Sequence, residues 1–291
     1  MKHLMRIFLV VLIAVNVWGE DSAAVLEGAK SGVVEFNDQR IHYENLGEGK
    51  TALVYIHGWC GDVSTWRLQL PVFRDKIRQI AIDLPGYGKS DKPQIDYSMD
   101  HFANAINAVL LHAGVDRAIL VGFSMGAPVI RQFYRLYPQK VAGLVLADGS
   151  VRKLNMPADQ VNQFIAQFSG PDFESNVVKF IDSMTTTAST HVRDSVKNVA
   201  LQCSQQAGVS SMKAMFQNET IWKEDPISVP LLSIVTESPN WQGYEEFLKT
   251  LAPKSEYHVI TGSGRFVMME KPEEFNSHLA EFLKKQGWIR S

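Results

Sequence analysis

The pattern Gly122-Phe123-Ser124-Met125-Gly126 sets one hydroxyl between two glycines. The apolar run Ala118 to Val121 leads into it and a helix-like segment begins at Ala127. A serine on such a strained strand-to-helix turn is a candidate nucleophile. The glycines let neighbouring backbone come close, and the helix N-terminus aims amides at the point where an oxyanion would develop. The chemistry implied is attack on a carbonyl carbon. A serine hydroxyl near neutral pH needs a base for this, usually His, and a carboxylate to orient that base. As a bare pattern Gly-x-Ser-x-Gly is common in loops, so the flanking elements decide what it means.

Those elements read as a regular alternation. Ser31 to Phe36 and Arg40 to Asn45 are expected strands joined at Asn37-Asp38, an antiparallel hairpin at a sheet edge. Thr51 to Ile56, Arg78 to Asp83, the strand before Ser124, and Val141 to Ala147 are short apolar runs of the kind buried on both faces. Met99 to Ala113 has apolar residues at helical spacing (Phe102, Ile106, Val109, Leu110) and stops at Gly114, with Asp100 read as its cap and His101 as a surface group. A second helix is expected from Ala127 to about Tyr137. Strands alternating with helices predict an α/β fold with a doubly wound, mostly parallel sheet and a site at the C-terminal ends of its strands. The rhythm stops over about 151–225, where Ala158 to Phe168, Glu174 to Met184 and His191 to Gln202 show helical periodicity. It resumes with the strand Val229 to Val235, a helix over Gly243 to Leu251, a last strand at Tyr257 to Ile260 and a final helix over Pro272 to Gln286.

Several blocks of residues resemble the α/β-hydrolase family. His57-Gly58-Trp59 follows the Thr51 strand at the place of the family's oxyanion loop. Asp83-Leu84-Pro85-Gly86-Tyr87-Gly88-Lys89-Ser90 is similar to its Asp-x-Pro-Gly-x-Gly-x-Ser turn, and the segment from Gly262 to Phe275 to its Gly-His-Phe-x-x-x-Glu-x-Pro block. The resemblance covers about Val33 to Ala147 and returns near the C-terminus. It implies an α/β-hydrolase domain over 20–291, with a helical cap inserted at about 151–225 whose Phe164, Phe168, Phe180 and Met184 pack or line an apolar pocket. It further implies Ser124 as nucleophile, the backbone N–H groups of Trp59 and Met125 as the oxyanion hole, and His57 as a structural support.

The family's triad runs Ser, then Asp or Glu, then His. Asp148, at the end of the strand after the elbow, is the preferred acid. Glu237, in the Thr236 to Trp241 turn, is the second choice. Where the family has its histidine, this chain has Arg265. A guanidinium has no acceptor and keeps its proton near neutral pH, so it cannot take the serine proton. It can pair with Asp148 and hold an anion near Ser124. Among the other histidines, His57 and His191 are the first to test as a substitute base; His258 lies in the last strand, and His42, His101, His112 and His278 have no evident link to the elbow.

Two readings follow. One is a serine hydrolase of small carboxylic esters or related acyl compounds. The other is an impaired member that binds a small apolar ligand or a partner under its cap. An epoxide hydrolase or dehalogenase fits less well, because those chemistries need a carboxylate at the elbow. No metal cluster, phosphate loop or dinucleotide fingerprint is present in the sequence, so no cofactor is expected. The chain has 291 residues, 45% apolar and 21% charged, and a net charge of -2, which gives no reason to expect nucleic acid as partner. Residues 1–19 read as a signal peptide: Lys2 and Arg6 precede the apolar run Ile7 to Val15, and Val17-Trp18-Gly19 offers a cleavage site. Cleavage is expected over stable membrane anchorage, which places the mature protein in the periplasm or outside the cell. There Cys60 and Cys203 are able to pair, and the sequence leaves open whether they do.

Overall fold

The structure, a computed structural model, describes residues 28–153 and 155–290; the leader lies outside the described residues. Eight strands form one sheet: β1 (Lys30–Phe36), β2 (Gln39–Leu46), β3 (Thr51–Ile56), β4 (Arg78–Ile82), β5 (Arg117–Phe123), β6 (Val141–Ala147), β7 (Leu231–Thr236) and β8 (Glu256–Ile260). Their order across the sheet is β1-β2-β4-β3-β5-β6-β7-β8. Strands β1, β2 and β4 pair antiparallel, and every neighbour from β4 to β8 is parallel. The parallel strands are the continuous apolar runs. Residues 118–123 of β5, all of β6 and all of β7 are buried, as strands covered by helices on both faces must be.

The helices are α1 (Leu70–Phe73), α2 (Met99–His112), α3 (Gly126–Leu136), α4 (Ala158–Ala166), α5 (Phe173–Met184), α6 (Thr190–Ala200), α7 (Gln205–Phe216), α8 (Tyr244–Leu251), α9 (Val267–Glu270) and α10 (Pro272–Lys285). The fold is α/β with a doubly wound, mostly parallel sheet. The N-cap of α2 is Ser98, whose side chain accepts from the amide of His101. Asp100, expected in that role, instead accepts from the Gln132 side chain. His101 is half-buried rather than a surface group, packed against Phe36 and Tyr97.

Helices α4 to α7 lie between β6 and β7. The sequence reading has three of them and misses α7, because Gly208, Ser210 and Ser211 interrupt its apolar period. Those same residues fasten α7 to the core. The Trp59 indole donates to the Gly208 carbonyl at 2.8 Å, the Tyr87 hydroxyl donates to the Ala207 carbonyl at 3.2 Å, and Ser211 Oγ lies 2.6 Å from the Tyr87 hydroxyl. Helix α7 therefore rests on the loops after β3 and β4, at the C-terminal end of the sheet.

Candidate active site

Ser124 lies between the end of β5 and the start of α3, with φ at +51°. That left-handed backbone in a non-glycine residue is strained and persists because its surroundings fix it. A Cβ added at Gly122 would come within 2.4 Å of the Gly126 carbonyl oxygen, and one at Gly126 within 2.6 Å of the Ile56 carbonyl oxygen. Both distances are far inside van der Waals contact, so the turn tolerates only glycine on either side. Gly58 lies on the other flank, less tightly, where an added Cβ would sit 3.1 Å from Ser124 Cβ. The Trp59 and Met125 amides follow Gly58 and Ser124 directly, so both sit beside the elbow. Among the described residues neither amide donates to a backbone carbonyl, which leaves both N–H groups for a ligand.

Asp148 follows β6, and its carboxyl reaches toward β7, the next strand in the sheet. Its Oδ1 accepts from the Thr236 amide and the Thr236 hydroxyl, both at 3.0 Å. Its Oδ2 accepts from Arg265 Nη1 at 2.9 Å, and Arg265 Nη2 donates to Ser124 Oγ at 2.8 Å. One guanidinium fork thus bridges the carboxylate to the serine. Asp148 is 1% exposed, while the Arg265 side chain is 31% exposed, so the carboxylate forms the back of the site and the cation faces outward. Glu237 is exposed at the end of β7 and takes no part in this chain of bonds.

The loop carrying Arg265 is held by Glu270, whose Oε2 accepts from the Gly264 amide at 2.9 Å and from the Thr187 hydroxyl at 3.1 Å. The Phe266 ring packs on Phe123 with centroids 5.1 Å apart. Glu270 falls in the segment from Gly262 to Phe275 that resembles the Gly-His-Phe-x-x-x-Glu-x-Pro block. Its spacing of six residues from Gly264, across the short helix α9, is the signal that links it to the Arg265 loop.

Neither histidine first in line as a substitute base stands at the serine. His57 is fully buried, its Nδ1 donating to the Gly58 carbonyl at 2.7 Å and its Nε2 accepting from the Leu84 amide at 3.0 Å. Both ring nitrogens are engaged, and burial pushes its pKa below the usual histidine value. His191 lies on α6 with its side chain exposed and is not part of the cavity wall at Ser124. His258 stacks on His278 at 4.2 Å, in β8.

The serine opens into a cavity of about 370 Å³ between the sheet and helices α4, α5 and α7. Its walls include Trp59, Phe164, Phe180, Met184, Met212, Met215 and Trp222. Phe168 is instead 1% exposed core, packed on the Trp59 ring. Among the described residues lining the cavity, Arg265 is the one charged side chain. Cys60 and Cys203 are both buried, free thiols; burial and the adjacent Cys203 raise the Cys60 pKa. Among the described residues no group of three or more His, Cys, Asp or Glu is placed to hold a metal ion, and no helix is long and apolar enough to cross a membrane.

Comparison with known proteins agrees with this architecture. The family model for the alpha/beta hydrolase fold matches residues 51–180. A 2-hydroxy-6-oxononadienedioate/2-hydroxy-6-oxononatrienedioate hydrolase from Paraburkholderia phymatum is 28% identical over 291 aligned residues, covering 89% of this chain and 93% of that protein. The dihydrolipoyllysine-residue acetyltransferase component of the acetoin cleaving system from Pseudomonas putida is 26% identical over 250 residues, covering 84% of this chain but 66% of that protein's length. An esterase from Exiguobacterium antarcticum superposes with a TM-score of 0.79 at 21% identity, covering 88% of this chain and all of that one. The chain has the α/β-hydrolase fold, and hydrolases and esterases are among the proteins it is similar to.

Proposed function

We propose that this protein engages small apolar esters or related acyl compounds at Ser124 as a serine hydrolase deprived of its base. The acyl carbonyl would sit against the Trp59 and Met125 amides, with Ser124 Oγ facing its carbon and the acyl chain among the aromatic and methionine side chains of the cavity. Helices α4 to α7 would serve as the cap that selects the chain. The observation that carries this reading is the Arg265 bridge. The guanidinium occupies both positions a histidine would use, one nitrogen on the acid and one on the serine, and it can only donate to each. Ser124 is therefore positioned for attack and left with its proton. Because positioning and the oxyanion donors survive the loss of a triad member, roughly 10³- to 10⁴-fold catalysis over water is the expected residue. The leader over residues 1–19 supports action in the periplasm or outside the cell.

Labelling by a fluorophosphonate tests the reading, since it asks only whether the serine is activated. Wild type should label at Ser124 over hours, Ser124→Ala not at all, and Arg265→His within minutes. Labelling of wild type as fast as of Arg265→His would overturn it. The competing view, an efficient serine hydrolase, draws on the elbow and the free oxyanion amides, which are both intact; it needs a base within reach of Ser124, and His57 has both ring nitrogens engaged while His191 is not among the residues lining the cavity.

A further inference from the structure

The exchange of a histidine for an arginine does more than remove a base; it changes what the site can hold. In a Ser-His-Asp site the serine O–H donates to the imidazole, which accepts it. Arg265 has no acceptor, and its Nη2 already donates to Ser124 Oγ. The Ser124 proton must then point elsewhere, and the cavity is the open side. Ser124, Trp59 and Arg265 all line the cavity, and the Met125 amide, next in the chain to Ser124, has no backbone acceptor, so the Ser124 O–H, the two amides and the remaining N–H groups of Arg265 are the donors at the serine end of it.

The charge changes in the same direction. A neutral histidine leaves the site with the full negative charge of its aspartate, which repels an anion. Here Arg265 cancels Asp148, and the order of burial puts the carboxylate behind and the cation in front. Among the described residues, none that lines the cavity carries a negative charge. The remaining wall is aromatic and methionine-rich. A ligand that matches needs an acceptor-only, anionic head and an apolar body.

We infer that the cavity is a binding site for a free aliphatic monocarboxylate, the head received by Ser124, Trp59, Met125 and Arg265 and the chain by the cap side chains. The inference rests on the reading of the Ser124 cavity as an acyl site and turns that site from one that expels an acid product into one that retains it. No covalent step is involved.

Trp59, Trp222 and Trp241 line the cavity, so ligand entry is read by intrinsic tryptophan fluorescence. Octanoate and 1-octanol are the probes, alike in chain and different in head. Wild type should bind octanoate about tenfold or more tighter than 1-octanol, the range of one charge-assisted contact. Arg265→Gln should lose that preference while holding 1-octanol within about twofold, since the apolar burial is unchanged. Arg265→His at pH 8.5, where an ordinary imidazole is neutral, provides a second variant should Arg265→Gln fold poorly, and the same loss is expected. Equal affinity of wild type for the two probes, or an octanoate preference that survives in both variants, overturns the inference. If Arg265→His gains esterase activity while wild type shows no octanoate preference, this inference fails and the reading of a base-deficient hydrolase stands. If wild type prefers octanoate and Arg265→His gains no activity, the carboxylate site stands and the hydrolase reading fails.

Discussion

Arg265→His tests, in one side chain, the base that the proposed function lacks. In the structure the Asp148 carboxylate already accepts two bonds from Thr236, so it stays satisfied and fixed when the guanidinium leaves. The loop that presents position 265 is anchored by Glu270 and by the Phe266 ring on Phe123, so a histidine there inherits the direction of the arginine. Its Nδ1–H would face Asp148 Oδ2 and its Nε2 the serine. A general base contributes about 10²- to 10⁴-fold, equivalent to roughly 3 to 5.5 kcal/mol of barrier at 1.36 kcal/mol per decade. The oxyanion amides and the cavity are untouched, so the gain should appear in kcat with KM changed by less. The assay is steady-state hydrolysis of short p-nitrophenyl esters at pH 8, with Ser124→Ala and the double variant as blanks. A folded Arg265→His whose kcat/KM stays within twofold of wild type would refute the reasoning, because either the base is not what is missing or the loop does not aim it.

Further outcomes follow from the same contacts. Asp148→Asn leaves Arg265 without its counter-charge; breaking a buried pair costs about 3 to 5 kcal/mol, and the partial exposure of Arg265 lowers the expected loss to about 2 to 3 kcal/mol, read by urea denaturation. The His42 ring sits between Asp83 at 2.7 Å and Glu44 at 3.2 Å. Burial alone would lower its pKa, but hydrogen bonds and charge from the two carboxylates raise it to about 9. A group whose folded pKa lies above its unfolded value of about 6.5 stabilises fully below that value and loses the effect as pH rises through the folded pKa. Wild type should therefore lose stability between pH 6.5 and 9, by about 1 to 2 kcal/mol once solvent screening is allowed for, while His42→Gln should be flat across that window. A parallel decline in the variant would show that another group is responsible.

The parallel strands and the elbow were legible because each is a local pattern: an unbroken apolar run, then a glycine pair around one serine. The candidate acid was legible only as a ranking, Asp148 before Glu237, since both follow strands and their spacing alone does not separate them. What distinguishes them is the pairing of β6 with β7, which sets Thr236 beside the Asp148 carboxyl and leaves Glu237 in solvent. Helix α7 was hidden for a related reason. Its small residues break the periodic signal because Trp59 and Phe173 press on Gly208 and Tyr87 bonds Ser211, contacts that are remote in sequence. The cavity wall could be named only in part, as Phe164, Phe180 and Met184 line it whereas Phe168 turns into the core. The Arg265 substitution and its pairing with Asp148 were legible in the sequence, but not that the same fork would also donate to Ser124.

The pH dependence of Ser124 acylation bears most directly on the claim that the nucleophile is in place without a base. A histidine base gives a rate that rises and then levels above its pKa, near 6.5 to 7 for an ordinary imidazole. With Arg265 in that place, proton removal falls to hydroxide. The logarithm of the wild-type rate with a p-nitrophenyl ester, corrected for the Ser124→Ala blank, should then climb about one unit per pH unit from 6 to 9 without levelling. A plateau beginning near pH 7 in wild type would contradict the account and reveal a working histidine.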